Sequence, residues 1–138
     1  MLIMSQKVVM KIDKLTERII GCAYTVYNTL GAGFLESVYK NAMLIELNKA
    51  GLQAESEKPI TVYYDDQIVG NFFADIVVNN EVIIELKAVE MISKAHEVQL
   101  VNYLNAVNKD IGLLINFGGT NGVKVKRKYK NYRTIRQD

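Results

Sequence analysis

With 138 residues, 49% of them hydrophobic, the chain can build one domain with a real core and is too short for two comfortable ones. Its single cysteine, Cys22, rules out an internal disulfide and any cysteine-built zinc site, which suits a reducing compartment. A net charge of +2 is too small to imply nucleic acid by itself, but the cations are unevenly spread: Lys124, Lys126, Arg127, Lys128, Lys130, Arg133 and Arg136 follow one another with no acid until Asp138.

Met1 to Met10 is apolar but interrupted by Ser5-Gln6-Lys7, so it lacks the apolar centre of a signal peptide, and no run reaches transmembrane length. A cytoplasmic protein is the expectation, with residues 1–12 as an N-terminal extension and 13–138 as a single domain. Asp13 reads as the cap of a first helix through Leu30, because Leu15, Ile19, Cys22, Ala23, Val26, Tyr27 and Leu30 recur at three- and four-residue steps. Gly31-Ala32-Gly33 breaks that pattern. These glycines lie between two helices rather than after a strand, so they are turn residues and not a dinucleotide fingerprint. A second helix follows from about Leu35 to Ala50 and stops at Gly51. Pro59 opens a strand through Tyr64, and Asp65-Asp66 turns it. After the segment from Gln67 to Ala88, Ser93 caps a third helix to Val107. The continuous apolar run Ile111 to Phe117 has the pattern of a strand buried on both faces. A glycine-rich turn leads into Val123 to Tyr129, where basic residues alternate with Val. The order is helix, helix, three strands, helix, two strands: an α+β fold with a mixed sheet and helices packed on it.

The segment from Gln67 to Ala88 carries the chemistry. Two apolar strand-like runs, Gln67 to Val78 and Val82 to Ala88, flank Asn79-Asn80-Glu81 and read as an antiparallel hairpin, yet they contain Asp75, Glu85 and Lys87. Charged side chains are seldom fully buried unless they are paired or hold a metal. A two-residue loop would put the two acids on opposite faces. A three-residue loop, with one Asn in the left-handed region that this residue tolerates, sets Asp75 opposite Glu85. It also collects Ala74, Ile76, Val78, Val82, Ile84 and Leu86 on one apolar face, and burial selects this register. Opposed carboxylates repel unless a cation lies between them, and hard ions such as Mg²⁺ bind through one or two carboxylates, waters and phosphate oxygens. Lys87 falls beside that ion. A structural triad is the competing reading, but two anions and one cation leave a charge uncompensated.

Asp on the second strand, Glu85-Leu86-Lys87 on the third and a helix next resemble the PD-(D/E)XK nuclease superfamily. Gly33-Phe34-Leu35-Glu36-Ser37-Val38-Tyr39 is similar to the G-x-x-E-x-x-Y signature of a small family within it, and Gln99 to Tyr103 is similar to the Q-x-x-x-Y element of those nucleases of the superfamily that accompany helicases. The resemblance covers roughly residues 13 to 130. It implies a restriction-endonuclease-like core with order ααβββαββ and a Mg²⁺- or Mn²⁺-dependent nuclease, acting on DNA ahead of RNA. Asp75 and Glu85 would be metal ligands, with the carbonyl of Leu86 as a third. Lys87 would position or deprotonate the attacking water, and Glu36 would hold a water at the ion. Gln99 and Tyr103 would hydrogen-bond Lys87, a water or a nucleotide. A homodimer is implied as well, for which apolar Met1 to Met10 offers one interface.

Each element has a plainer reading. Glu36 in a first helical turn meets the helix dipole favourably whatever else it does. Tyr39 reads as core, Gln99 and Tyr103 equally as a half-exposed helix face, and His96, without a second histidine, carries no assigned role. The residues Lys124, Lys126, Arg127, Lys128 and Lys130 form either a solvated edge strand or a nucleic-acid-binding strip, with Tyr129 and Tyr132 placed for base stacking. Ala74 stands where the superfamily has Pro, and no DNA-targeting module is recognisable. Two other functions stay open: a non-catalytic nucleic-acid-binding or assembly subunit, and a metal-dependent phosphoesterase on nucleotides.

Overall fold

The hairpin forms in the odd register. In the computed structural model, which describes residues 5–131, Val78 pairs with Val82, Val77 with Ile83 and Ile76 with Ile84, leaving Asn79, Asn80 and Glu81 as the loop. Both asparagines are left-handed, with φ of 51° and 54°, where one was expected. Its strands are β2 (Gln67–Val78) and β3 (Val82–Lys87) of a five-stranded sheet. The others are β1 (Ala54–Tyr64), β4 (Ile111–Asn116) and β5 (Lys124–Tyr129). The sheet runs β1-β2-β3-β4-β5, and all pairs are antiparallel except β3 with β4. That parallel pair needs a crossover, supplied by α3 (Lys94–Val107). Helices α1 (Gln6–Leu30) and α2 (Glu36–Lys49) complete the order ααβββαββ of a restriction-endonuclease-like fold.

Two apolar layers hold the sheet. On one face Ile19, Ala23 and Val26 of α1 and Tyr39, Met43 and Leu47 of α2 pack on Ile76, Ile84, Leu86 and Leu113. On the other, Leu100, Tyr103 and Leu104 of α3 cover Val77, Ile83 and Leu114. Every residue of β4 is buried, as its unbroken apolar run requires of a strand covered on both sides.

Three expectations are corrected. Asp13 does not cap α1, which starts at Gln6 and runs through it. Ser5-Gln6-Lys7, read as an interruption, is exposed at the helix start, and the buried stripe extends back to Ile12. β1 begins five residues before Pro59, because Ala54 to Ser56 pair with Ile76 to Val78 although Glu55, Ser56 and Glu57 have little strand preference. Ala74 does not share a face with Ile76 and Val78; it lies in the α3 layer with Ile60 and Val77. The alternation slips at Asp75, beside Glu57, whose φ of +54° breaks the pleat of β1 between the pairs Ser56–Ile76 and Lys58–Ala74.

Candidate active site

β2 and β3 part company at the acids. Backbone pairing ends at Ile76–Ile84, and one step further Asp75 Oδ2 accepts the N–H of Leu86 at 2.8 Å. A carboxylate thus replaces a ladder bond and holds the strands apart while keeping Asp75 level with Glu85. In a strand the N–H and C=O of one residue point to the same edge. The Leu86 carbonyl therefore faces the gap with Asp75, whereas the Lys87 carbonyl faces β4 and accepts from Phe117 N at 2.9 Å.

Glu85 is 7% exposed, and its Oε1 is buried with no hydrogen-bond partner among the described residues. Its pKa is pushed up to about 9, first by burial, then by the hydrogen bond and charge of Asp75, while Lys87 opposes the rise. At neutral pH the Glu85 carboxyl holds a proton unless a cation takes its place. Among the described residues no three His, Cys, Asp or Glu side chains gather as a metal cluster. Two carboxylates, one of them with a buried unpartnered oxygen, and a backbone oxygen in the same gap fit a small hard ion that keeps waters of its own better than zinc. Lys87 is half-buried at the end of β3.

Glu36 enters from the first turn of α2. Its pKa is raised, chiefly by burial of the carboxyl; Lys87 lowers it, Asp75 raises it, and His96 and Lys40 lower it. The residue as a whole is exposed, and the charges of Lys87 and Asp75 both reach its carboxyl. The surrounding motif divides its work. Gly33 has φ of 109°, a conformation that side chains resist. Tyr39 Oη donates to the Gly31 carbonyl at 2.6 Å and accepts from Phe34 N at 3.3 Å, and its ring stacks on Phe117 at 4.5 Å. Tyr39 is core, as expected, and it also clamps the loop that presents Glu36.

On the opposite face, in the α3 layer, Tyr103 has its pKa raised by burial, then by the charges of Glu85 and Asp75. Its ring centroid lies 5.5 Å from that of Phe72. Gln99, one turn earlier on α3, is exposed.

Several residues near the site had no role in the sequence reading. His96 closes a capping box, its N–H donating to Ser93 Oγ and its Nδ1 accepting from Ser93 N at 3.1 Å. Lys40, one turn past Glu36, pairs with Glu57, which raises its pKa first; Asp75 and Glu36 add to the rise. The i, i+4 spacing from Glu36 was the signal for Lys40. Asn116, 1% exposed, fastens the loop after Lys87: Oδ1 accepts from Val89 N and Gly118 N, and Nδ2 donates to the Val89 carbonyl. Nothing in the local sequence signals this clamp, since its partners are brought together by the β3–β4 pairing.

The basic residues lie apart from the gap. Lys124, Lys126, Arg127 and Lys128 are on β5, the sheet edge opposite β1. Lys126 and Lys128 both pair with Glu97 of α3, at 3.2 and 3.1 Å, which lowers the Glu97 pKa. Lys130 lies 3.9 Å from Asp110. β5 is an edge strand, and part of its charge is already answered within the domain. Tyr132, Arg133 and Arg136 lie outside the described residues.

Among the described residues no helix is long and apolar enough to cross a membrane. A search of curated proteins finds no match. Among solved structures, one titled "Crystal structure of SSO0001" is similar in fold, with a TM-score of 0.54 at 15% identity. The likeness takes in 71% of this chain and 52% of that one, so the chain spans about half of that protein. The sequence profile of the PD-(D/E)XK nuclease superfamily matches residues 13–128, which takes in Glu36, both strands of the hairpin and all of α3. With that match over most of its length, and with acids opposed where two strands diverge, the chain belongs to the PD-(D/E)XK nuclease superfamily.

Proposed function

We propose that this protein is a nuclease of the G-x-x-E-x-x-Y type that hydrolyses phosphodiester bonds in nucleic acid, DNA ahead of RNA, with Mg²⁺ or Mn²⁺. Superfamily membership supports nuclease-type chemistry. One observation carries the rest: Glu85 keeps a buried, unpartnered oxygen level with Asp75 where β2 and β3 separate. Asp75, Glu85 and the Leu86 carbonyl would hold the ion, which supplies polarisation of the phosphoryl oxygen and a more acidic water near neutral pH.

The chain's own groups then have distinct tasks. Lys87, as an ammonium, donates to a phosphoryl oxygen and offsets charge that grows there as the nucleophile adds. Glu36, whose proton affinity is raised, is the better acceptor for a proton from the attacking water. The Tyr103 hydroxyl, which the charges of both acids reach, donates to a phosphate or water, with exposed Gln99 available to the same strand. Lys124 and Arg127 offer weaker, salt-sensitive contacts to backbone beyond the site, with Lys126 and Lys128 released from Glu97 and Lys130 from Asp110 in exchange. The same reading has the protein acting in the cytoplasm as a homodimer.

The test is cleavage of labelled single- and double-stranded DNA and RNA in Mg²⁺ and Mn²⁺. Asp75→Ala and Lys87→Ala should each lose on the order of 100-fold or more in rate while keeping their fold by circular dichroism. Wild-type rates in the Asp75 variant would refute the proposal. Binding that persists in chelator with no cleavage would favour the non-catalytic subunit. Competition by mononucleotides as strong as by oligonucleotides would favour a nucleotide phosphoesterase.

A further inference from the structure

Both strands beside Asp75 depart from regular pairing at its level, and only one departure belongs to the gap between the acids. On the β3 side the Asp75 carboxylate takes the N–H of Leu86. On the β1 side the ladder skips the position between the pairs Ser56–Ile76 and Lys58–Ala74, where Glu57 has φ of +54°. The other side chains in the left-handed region, among the described residues, are all Asn or Asp at turns or a helix end, types that tolerate it. Glu57 adopts it in the middle of a strand.

The strained residue sends its carboxylate across the sheet. Glu55 opposes Val77, which lies in the α3 layer, and strand alternation would keep Glu57 on that side. Glu57 instead pairs with Lys40 of α2, the helix whose Tyr39 and Met43 pack in the layer on the other face. Folding gains little from this, because the Glu57 side chain is 53% exposed and exposed ion pairs stabilise little. Strain without a folding return points to function.

Lys40 lies one helical turn past Glu36, and the charges of Asp75 and Glu36 both reach its ammonium. Its side chain is 21% exposed, against 67% for Lys49 at the end of the same helix, so it is held down on the sheet. Lys87 flanks the acids from β3, and Lys40 flanks them from β1. A strand whose scissile phosphate meets Lys87 then carries a neighbouring phosphate past Lys40. We propose that Lys40 is a second phosphate-binding residue of the site and that Glu57 is its positioning residue, holding the ammonium beside Asp75 until a substrate phosphate displaces the Glu57 carboxylate. The exchange of one anion for another keeps Lys40 paired throughout. This rests on the nuclease reading and narrows it to substrates that carry a phosphate next to the one that is cut, which a mononucleotide lacks.

Fluorescence anisotropy of a labelled oligonucleotide in chelator, at a series of salt concentrations, reads the contact without turnover, and KM in Mg²⁺ reads it with turnover. Lys40→Met should weaken binding and raise KM by about 10-fold, with kcat within about 3-fold, and should flatten the salt dependence by about 0.7–0.9 in slope, the share of one phosphate. Lys40→Arg keeps the charge and should restore most of the affinity. Glu57→Gln should act in the opposite direction and tighten binding by about 5-fold, because the competing carboxylate is gone. A merely structural ion pair would move Lys40→Met and Glu57→Gln the same way, since either change breaks it. Lys49→Met removes a cation from the Lys49–Glu46 pair of the same helix and should shift affinity by less than about 2-fold. Circular dichroism should be unchanged throughout, and Lys40→Gln replaces Lys40→Met if that variant fails to fold. Lys40 and Glu57 variants that shift affinity and KM in the same direction, or a Lys49→Met effect as large as that of Lys40→Met, overturn the proposal and leave the nuclease reading standing. A wild type that neither binds nor cleaves any oligonucleotide removes the nuclease reading, and the proposal with it.

Discussion

Glu85→Gln should make the metal-free protein more stable at neutral and alkaline pH. The Glu85 carboxyl, with a pKa of about 9 in the fold against 4.5 for the ordinary side chain, binds a proton more tightly folded than unfolded. Between those values the native state holds the extra proton, so stability is complete below pH 4.5, falls as pH rises, and is fully lost above pH 9. Three units above the lower limit, at about pH 7.5, the loss is on the order of 4 kcal/mol, since each unit is worth about 1.4 kcal/mol. That is a large part of the 5–15 kcal/mol of a typical domain. Glutamine keeps the shape, can donate to Asp75 and does not titrate. The assay is urea unfolding in chelator from about pH 5 to 9, read as the difference between wild type and variant, in which the raised Glu36 carboxyl cancels. The wild type should lose several kcal/mol relative to the variant across that range. Parallel profiles would refute the reasoning, because they would mean that Glu85 ionises in the fold as easily as in the unfolded chain.

Mg²⁺ binding to the wild type should release close to one proton near pH 7, since the ion competes with the proton on Glu85, and Glu85→Gln should bind weakly with no release; calorimetry in buffers of different ionisation heat measures both. Tyr39→Phe removes the hydroxyl that ties Gly31 to Phe34 and should cost about 1–2 kcal/mol in thermal or urea unfolding, with cleavage reduced further because Glu36 loses its mounting. Gly118→Ala places a Cβ 2.5 Å from the backbone of Val89, which cannot rotate away, and should cost about 1–3 kcal/mol with the loop after Lys87 displaced.

How much of this was legible depended on whether the signal was local. The hairpin register followed from Ile76, Val78, Val82, Ile84 and Leu86, because a one-residue slip between the strands would have split these five between the two faces. The start of β1 was hidden, since Glu55, Ser56 and Glu57 belong to the strand only through their partners on β2. Ala74 was assigned the wrong side because alternation within β2 says nothing of Glu57 on the neighbouring strand. Tyr39 was recognisable as buried but not as a clamp, for its partners Gly31, Phe34 and Phe117 meet only in the folded chain. The pairing of Lys126 and Lys128 with Glu97 of α3 was hidden in the basic strand, because Glu97 lies 29 and 31 residues away and meets it only in the folded chain.

The departures from folding rules converge on one point. The pleat slips at Asp75, a side chain stands in for a ladder bond at Leu86, and a carboxyl oxygen of Glu85 is buried without a partner. Each opposes stability when taken alone, and a sequence selected for folding would have little reason to place all three within one turn of a hairpin. On the proposed function a divalent cation would relieve them together: it would separate the carboxylates, partner the orphaned oxygen and give the parted strands something to hold. Metal affinity, pH-dependent stability and catalysis would then be one coupled property of Asp75 and Glu85. A variant that relieves the metal-free protein, as Glu85→Gln should, must lose turnover to the same extent that it gains stability without the ion.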